Sequence, residues 1–158
     1  MTESLIEHII RRSRGYDNIY TIWSSKGGTD AIYYGLKFNV TAVYSGSCQY
    51  YVGDYLNHPW HNHHLSCMVG KRKKQDVIFE LNSMMPEIIK QSRGTKTIIN
   101  LLYYPEEHTY PEHIVHLIKE LDDNMILHND YIEHFQIRSD IAVFFPEFLR
   151  KVFDNKQK

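Results

Sequence analysis

Apolar residues near the start of the chain recur at the spacing of an α-helix. Leu5, Ile6, Ile9 and Ile10 would lie along one side of such a helix, with polar residues between them. Gly15 follows this stripe and is typical of a helix end. The pattern therefore predicts an N-terminal helix that packs through its apolar side.

From Tyr16 to about Leu81 the pattern changes to short runs of aromatic and β-branched residues separated by turn residues. Such runs are typical of strands, and closely spaced turns between them favour an antiparallel meander. The segment Lys26-Gly27-Gly28-Thr29 is interpreted as one of these hairpin turns. The predicted strands are Ile19–Trp23, Ala31–Tyr44, Cys48–Val52, His63–Val69 and Val77–Leu81.

After Asn82 the pattern alternates between helical and strand-like segments. We expect helices at Met84–Arg93, at Pro111–Leu121 and from about Pro146, with strands at Thr97–Tyr104 and Ile132–Arg138. The fold class predicted is α+β, with residues 1–158 as one domain: an N-terminal helix, an antiparallel β-meander, then alternating helices and strands packed on the sheet. The last residues, 155–158, are expected to fray.

Composition and charge narrow the class of protein. The chain has 158 residues, 42% of them hydrophobic and 23% charged, as expected for a globular domain with its own core. The net charge of −1 gives no general basic field for nucleic acid, so any such contact needs a local patch. No apolar run has the length of a membrane span, and the acidic N-terminus does not resemble a signal peptide. We therefore expect a soluble intracellular protein whose Cys48 and Cys67 are reduced thiols.

The strongest chemical signal is a histidine cluster, with His58, His61, His63 and His64 falling within seven residues. Imidazole is the commonest metal ligand and titrates near neutral pH. On the predicted strand, His61 and His63 share one face, which suits joint coordination of a divalent metal with His108 as a third ligand. The alternative is a strand end whose imidazoles form only local hydrogen bonds.

The segment Trp60-His61-Asn62-His63-His64-Leu65, closed by Val69-Gly70, resembles the metal-binding strand of the HUH endonucleases. These are rolling-circle replication initiators and relaxases, which cut single-stranded DNA with a tyrosine. The resemblance covers about ten residues and implies a metal-dependent nuclease. Two features depart from that family: Asn62 stands where a bulky hydrophobic residue is usual, and the helical tyrosine with a nearby lysine has no clear counterpart.

Other candidate residues have simple structural explanations. His113, His116 and Glu120 lie along one side of the predicted Pro111–Leu121 helix, and a solvated polar face explains them. Cys48, next to a turn, is expected to be exposed. Cys67, in the middle of a predicted strand, is expected to be a small buried hydrophobic residue.

A basic tip and a set of aromatic residues are candidates for binding nucleic acid. The basic tip lies between two predicted strands and suits contacts with phosphate, although a solvated tip is the alternative. It consists of Lys71, Arg72, Lys73 and Lys74. Bases stack on exposed aromatic rings, so an interaction surface of aromatic residues near this tip would favour the binding of single-stranded nucleic acid. The residues of that predicted surface are Tyr50, Tyr51, Tyr55 and Trp60.

These observations favour a small macromolecule-binding protein, such as an adaptor, inhibitor or immunity-type protein, that binds another protein through a surface rich in Tyr and His. One alternative is a metal-dependent nuclease or phosphodiesterase, in which His61 and His63 hold a divalent ion and Lys71–Lys74 hold the phosphate backbone. Another is a non-catalytic binder of single-stranded nucleic acid. The sequence does not decide whether the protein is an enzyme, nor its oligomeric state.

Overall fold

The computed structural model describes residues 2–125, 132–136 and 141–155. These residues form a four-stranded sheet in which every neighbouring pair is parallel. The strands lie in the order β1 (Tyr20–Ser24), β2 (Ala42–Gly46), β3 (Ile98–Tyr103) and β4 (Ile132–Gln136). Parallel neighbours require crossover connections, so helices must follow the strands and cover the sheet.

The helices follow that rule. α1 (Thr2–Arg12) and a 3₁₀ turn (Ser13–Gly15) precede β1, and α2 (Ser25–Lys37) connects β1 to β2. Three helices connect β2 to β3, namely α3 (Val52–Asn57), α4 (Asn62–Val69) and α5 (Lys74–Gln91). A π-helical turn (Tyr110–Ile114) leads into α6 (Val115–Met125), and α7 (Ile141–Asn155) follows β4.

The predicted antiparallel meander is wrong. The run Ala31–Tyr44 contains the end of α2 and the start of β2, His63–Val69 lies in α4, Val77–Leu81 lies in α5, and Cys48–Val52 forms no strand. Short apolar runs do not distinguish a buried helix from a strand, and tertiary packing overrides β-propensity.

Other predictions from the pattern are confirmed. The N-terminal helix, the strand at Thr97–Tyr104 and the helix at Pro111–Leu121 are all present, with small differences in their ends. The last helix begins at Ile141, earlier than the expected Pro146. Within the tail expected to fray, Asn155 ends α7, and residues 156–158 lie outside the described residues.

Both faces of the sheet are covered. Val43 points into the main core, which α2, α5 and α6 supply on one face, whereas Tyr44 points to the other face and packs on Phe148 of α7. Val43 and Tyr44 are both fully buried. This double burial is typical of parallel sheets and explains why β2 is apolar without alternation.

A second, smaller core holds the three helices after β2. It is formed by Val52 and Leu56 of α3, Leu65 of α4, and Val77 and Ile78 of α5. These helices therefore pack as a unit beside the end of β2. Among the described residues, no helix is both long enough and apolar enough to cross a bilayer.

Replacing a matched pair of methionines tests this packing. Met85 of α5 is fully buried in the main core, whereas Met68 of α4 is about half exposed. We expect Met85→Ala to lower the free energy of unfolding by about 2–5 kcal/mol, because it leaves a cavity. Met68→Ala should change it by less than about 0.5 kcal/mol. Urea unfolding followed by circular dichroism measures both, and equal losses would contradict the fold.

Candidate functional site

The junction between β1 and α2 holds the backbone in an uncommon conformation. Ser24 is extended, with φ −128°, and the next residue, Ser25, has φ 53°. A left-handed conformation is unfavourable for a residue with a side chain, and such strain is found mainly where surrounding structure imposes it. Ser25 is also solvent exposed. The junction thus presents one serine hydroxyl at a sharp strand-to-helix turn.

Two glycines permit this tight turn. A Cβ atom on Gly27 would lie 1.6 Å from Cδ1 of the Trp23 ring. A Cβ atom on Gly28 would lie 2.7 Å from Oγ of Ser45, whose hydroxyl donates a 3.0 Å hydrogen bond to the Gly28 carbonyl. A side chain at Gly28 would separate α2 from β2, whereas one at Gly27 would displace the exposed Trp23 ring.

The start of α2 is suited to stabilising negative charge. The first backbone N–H groups of a helix have no partner within the helix and carry the positive end of its dipole. Lys26, directly after Ser25, places such an N–H group beside the serine hydroxyl. A serine on a strained strand-to-helix turn, with the next N–H acting as an oxyanion donor, is the arrangement called a nucleophile elbow.

A carboxylate lies at the same edge of the sheet. Ser47 directly follows β2, also has a positive φ, of 41°, and donates a 2.6 Å hydrogen bond from Oγ to Oε2 of Glu107. Its backbone N–H donates a 2.9 Å hydrogen bond to the carbonyl of Leu102 in β3. Because Ser24 pairs with Gly46, the segments holding Ser25, Ser47 and Glu107 meet at the carboxyl edge.

A cavity of about 630 Å³ opens between the segments that follow β2 and β3. Its wall combines aromatic rings, imidazoles and two carboxylates. The Tyr55 and His61 rings stack with centroids 4.4 Å apart, and Trp60 stands 80% exposed at the side. The lining residues are Tyr51, Asp54, Tyr55, His58, Trp60, His61, His108, Glu112 and His113.

The histidine-rich segment runs from the cavity wall at His61 into α4. Desolvation lowers the pKa of His64, and the neighbouring His63, Lys26 and His61 lower it further. Lys26 follows Ser25, whereas His61 lines the cavity. His64 is thus influenced electrostatically both by Lys26, next to Ser25, and by His61 of the cavity wall.

His113 is buried, contrary to the prediction of a solvated helix face. It belongs to the π-helical turn at Tyr110–Ile114, which departs from the α-helical spacing on which that prediction rested. Its Nδ1 accepts a 3.3 Å hydrogen bond from the backbone N–H of Tyr51. Burial lowers the pKa of His113, so the neutral imidazole is favoured. Glu120, predicted on the same face, accepts a hydrogen bond from the Tyr50 hydroxyl at 3.1 Å.

The predicted metal ligands do not lie on a strand. His61 directly precedes α4 and His63 lies within it, so the shared strand face that favoured joint coordination is absent. His61 and His108 do line the cavity together, without His63. Among the described residues, no three His, Cys, Asp or Glu side chains are grouped to hold a metal ion. The resemblance to the HUH strand loses its structural basis, and the ligand assignment stays an untested prediction.

The structure brings together only part of the predicted binding surface. Tyr51, Tyr55 and Trp60 line the cavity, whereas Tyr50 is buried. The basic tip Lys71–Lys74 is exposed between α4 and α5, where Arg72 pairs with Glu80. Binding of phosphate by this tip stays a prediction.

The cysteines are placed opposite to expectation. Cys48 is buried and Cys67 is exposed, because the segment of Cys67 is a surface helix rather than a strand. Both thiols are free. Burial raises the pKa of Cys48 to about 11, so this thiol is protonated at neutral pH and is a poor nucleophile.

Ser25 was not among the residues predicted from the sequence. The available signal was a β-strand run followed by Ser-Lys-Gly-Gly and then a helical pattern. Within it, Ser25-Lys26-Gly27 match the last three positions, Ser-x-Gly, of the Gly-x-Ser-x-Gly elbow. Trp23 occupies the position of the first glycine. Because the next segment was interpreted as a strand, Lys26-Gly27-Gly28-Thr29 was predicted to be a hairpin turn.

Comparison of the fold identifies similar solved structures, although no family model and no curated protein matches the sequence. The capsule O-acetyltransferase of Neisseria meningitidis serogroup A has a TM-score of 0.80 and 18% identity over 96% of this chain. A histidine-to-alanine mutant of that protein in complex with CoA gives 0.78 over 94% of this chain. The Glycosylation Associate Protein (Gap123) complex of Streptococcus agalactiae gives 0.74 with 13% identity over 97%.

These similarities establish the fold, because the identities are low. This chain spans 64% of the matched Neisseria chain and 32% of the Streptococcus chain. The structural neighbours therefore contain substantial polypeptide that has no counterpart among the matched residues.

The buried imidazole of His113 predicts a pH dependence of stability. Its pKa in the folded protein lies below the unfolded value of about 6.5. The unfolded state therefore takes up the proton first, and the stabilisation present above pH 6.5 is lost as the pH falls toward the folded pKa. We expect the free energy of unfolding to fall more steeply between about pH 7 and 5 in the wild type than in His113→Asn.

The asparagine can still accept the hydrogen bond from Tyr51 but does not titrate. His8→Asn is the control, since His8 is exposed on α1. Denaturant titrations at several pH values give the slopes. An unchanged slope in His113→Asn would show that His113 does not contribute this dependence.

Proposed function

We propose that this protein is an acyltransferase in which Ser25 is the nucleophile and forms a covalent acyl-enzyme. The observation that carries the proposal is the left-handed backbone of Ser25 at the β1–α2 turn, next to the first N–H groups of a 13-residue helix. If stability were the only constraint, a strained and exposed serine would be unfavourable at this position. Strain of this kind is concentrated at functional sites, where it fixes a reacting group.

The similar solved structures support the same class of reaction. One of them is named a capsule O-acetyltransferase, and its histidine-to-alanine mutant is in complex with CoA. Because this chain spans less than two thirds of that protein, the activity is carried over as a proposal. Acetyl transfer from a thioester to a hydroxyl acceptor is the version that we favour.

The chemistry follows from the geometry of the turn. The Ser25 hydroxyl loses its proton to a base while Oγ attacks the thioester carbonyl, and the resulting oxyanion is held by the Lys26 N–H and the start of α2. The C–S bond then breaks, the thiol leaves with the proton, and the acyl group remains on Ser25. An acceptor hydroxyl attacks this ester and releases the free serine.

The base is a histidine from the same edge. In the usual chain order of this arrangement, a carboxylate and then a histidine follow the serine. Glu107 has the position of the carboxylate, after β3. The residues between β4 and α7 read Ile-Arg-Ser-Asp and contain no histidine. The candidates are therefore His64, whose pKa Lys26 next to Ser25 influences, and His61 and His108, which line the cavity.

Active-site labelling tests the nucleophile. We expect a fluorophosphonate probe to react with the wild type and with Ser24→Ala, and to react at least about 10³-fold more slowly with Ser25→Ala. Ser24 is the matched control, because it is adjacent but has an ordinary extended backbone. Intact-mass spectrometry measures the rates. Equal labelling of Ser25→Ala, or no labelling of the wild type, would contradict the proposal.

Backbone strain at Ser25 gives an independent prediction on stability. Glycine adopts a positive φ without cost, so Ser25→Gly should be more stable than Ser25→Ala by about 1 kcal/mol while both lose the nucleophile. At Ser24, which is extended, glycine should give no such gain over alanine. Thermal and urea unfolding compare the two pairs. A gain at Ser24 and none at Ser25 would argue against the strain.

A second candidate function is the binding of another macromolecule through the Tyr- and His-rich surface. The exposed Trp60 beside the cavity favours it, because large exposed aromatic residues are frequent at interfaces. This function stays a prediction, as do the metal-dependent nuclease and the nucleic-acid binder.

A further inference from the structure

The cavity between the segments after β2 and β3 has a charge that the acyl-transfer proposal does not explain. Its wall contains the carboxylates of Asp54 and Glu112, and among the described residues of that wall there is no lysine or arginine. Neither carboxylate forms an ion pair with another residue that the structure describes. When its imidazoles are neutral, the wall therefore carries two negative charges. Such a wall attracts cations and repels ligands that bear phosphate.

Both carboxylates act on the same imidazole of the wall. Burial lowers the pKa of His113, and the nearby Glu112 and Asp54 oppose this effect because they favour the charged form. Asp54 belongs to α3 and Glu112 to the π-helical turn, so the two negative groups approach His113 from different elements. A cation in this part of the cavity is attracted by both carboxylates.

Rings make up most of the remaining wall. The Tyr55 and His61 rings stack with centroids 4.4 Å apart, and the Tyr55 ring meets His113 edge-on at 71°. Beyond His61, the ring of His58 lies at 6.3 Å, and the Trp60 ring is inclined to it by 74°. Successive rings are thus tilted against one another. The faces of tyrosine and tryptophan rings attract a cation within about 6 Å of their centres.

The cation that suits this wall is organic rather than metallic. In the part of the chain that the structure describes, no three His, Cys, Asp or Glu side chains are grouped to hold a metal ion. A volume of about 630 Å³ is typical of a site for an organic molecule. Aromatic faces combined with negative charge are the usual recognition of quaternary ammonium groups.

His113 adds a directional hydrogen bond. Its Nδ1 accepts the backbone N–H of Tyr51, so the neutral ring carries its proton on Nε2. His113 is only 3% exposed, yet it lines the cavity. No acceptor among the described residues binds its Nε2–H. Because polar groups of buried residues are usually paired, this donor is available to an oxygen of a ligand.

We propose that the cavity binds an organic cation through an alkylated ammonium group. The rings of Tyr55 and Trp60 contact the ammonium group, Asp54 and Glu112 supply the opposite charge, and the Nε2–H of His113 donates to an oxygen of the ligand. The site is independent of acyl transfer, since it rests on the wall of the cavity and not on Ser25.

Titration of the full chain with choline tests the site, because choline carries a trimethylammonium group and a hydroxyl. Its uncharged carbon analogue, in which tert-butyl replaces trimethylammonium, is the matched ligand. We use about pH 8.5, above the range in which imidazoles ordinarily titrate. Proton–carbon NMR of the aromatic rings should show saturable shifts of Tyr55 and Trp60. We expect choline to bind at least about tenfold more tightly than the analogue.

Charge variants separate this attraction from simple filling of the cavity. Asp54→Asn and Glu112→Gln should each weaken choline binding about threefold or more, because each removes one attractive charge, and should leave binding of the analogue unchanged. Glu87→Gln is the control, since Glu87 is exposed on α5 and is not among the described residues of the wall. This control should bind choline like the wild type.

Each outcome decides the proposal. Equal binding of choline and its analogue would overturn it and assign the cavity to an uncharged ligand. Shifts that do not saturate by about 100 mM, or that leave Tyr55 and Trp60 unchanged, would overturn it as well. Equal weakening in Glu87→Gln would show only a general attraction to a negative surface, which also contradicts a built site. Labelling of Ser25 decides acyl transfer separately, whatever choline does.

Discussion

The left-handed backbone at Ser25 is the constraint on which the account depends. Here β1 ends at Ser24 and α2 begins at Ser25, so the start of the helix must approach the neighbouring strand β2 closely. Gly28 permits the approach to Ser45, and Gly27 leaves room for the Trp23 ring. The resulting turn exposes the serine hydroxyl and aligns it with the N–H groups of α2. Fold and proposed chemistry therefore share one local geometry.

The carboxyl edge gathers the remaining chemical groups, because all four strands of the described sheet run in the same direction. Glu107 arrives after β3 and is held by Ser47, while the helices after β2 bring the aromatic and imidazole wall of the cavity. These groups come from distant parts of the sequence. Their convergence is a property of the parallel topology rather than of any single motif.

The sequence predicts the elements whose pattern is periodic over a long segment. The helix at Pro111–Leu121 and the strand at Thr97–Tyr104 were both predicted correctly, and Ile114, Leu117 and Leu121 form the buried face of that helix. The direction of the strands was not predicted. The segments Ala31–Tyr44 and Val77–Leu81 combine β-branched and aromatic residues with helical structure, because their side chains fill a core between helices and sheet. Local propensity does not contain that information.

The candidate site, like the fold, was predicted only in part from the sequence. Of the residues singled out from the sequence, His61, His108, Tyr51, Tyr55 and Trp60 line one cavity, and their chemical role stays a prediction. The expected geometry, two imidazoles on a strand face, depended on the wrong element and is absent. Ser25 was missed because its signal is conformational: Ser-Lys-Gly-Gly becomes informative only when a helix is known to follow.

The most direct test of the central claim is peptide mapping by mass spectrometry after brief incubation with an acetyl thioester such as acetyl-CoA, followed by acid quenching. The account predicts one acetyl group, located on Ser25 and turned over when an acceptor hydroxyl is added. Acetylation confined to lysines, to a histidine or to the exposed Cys67, with Ser25 unmodified, would contradict it.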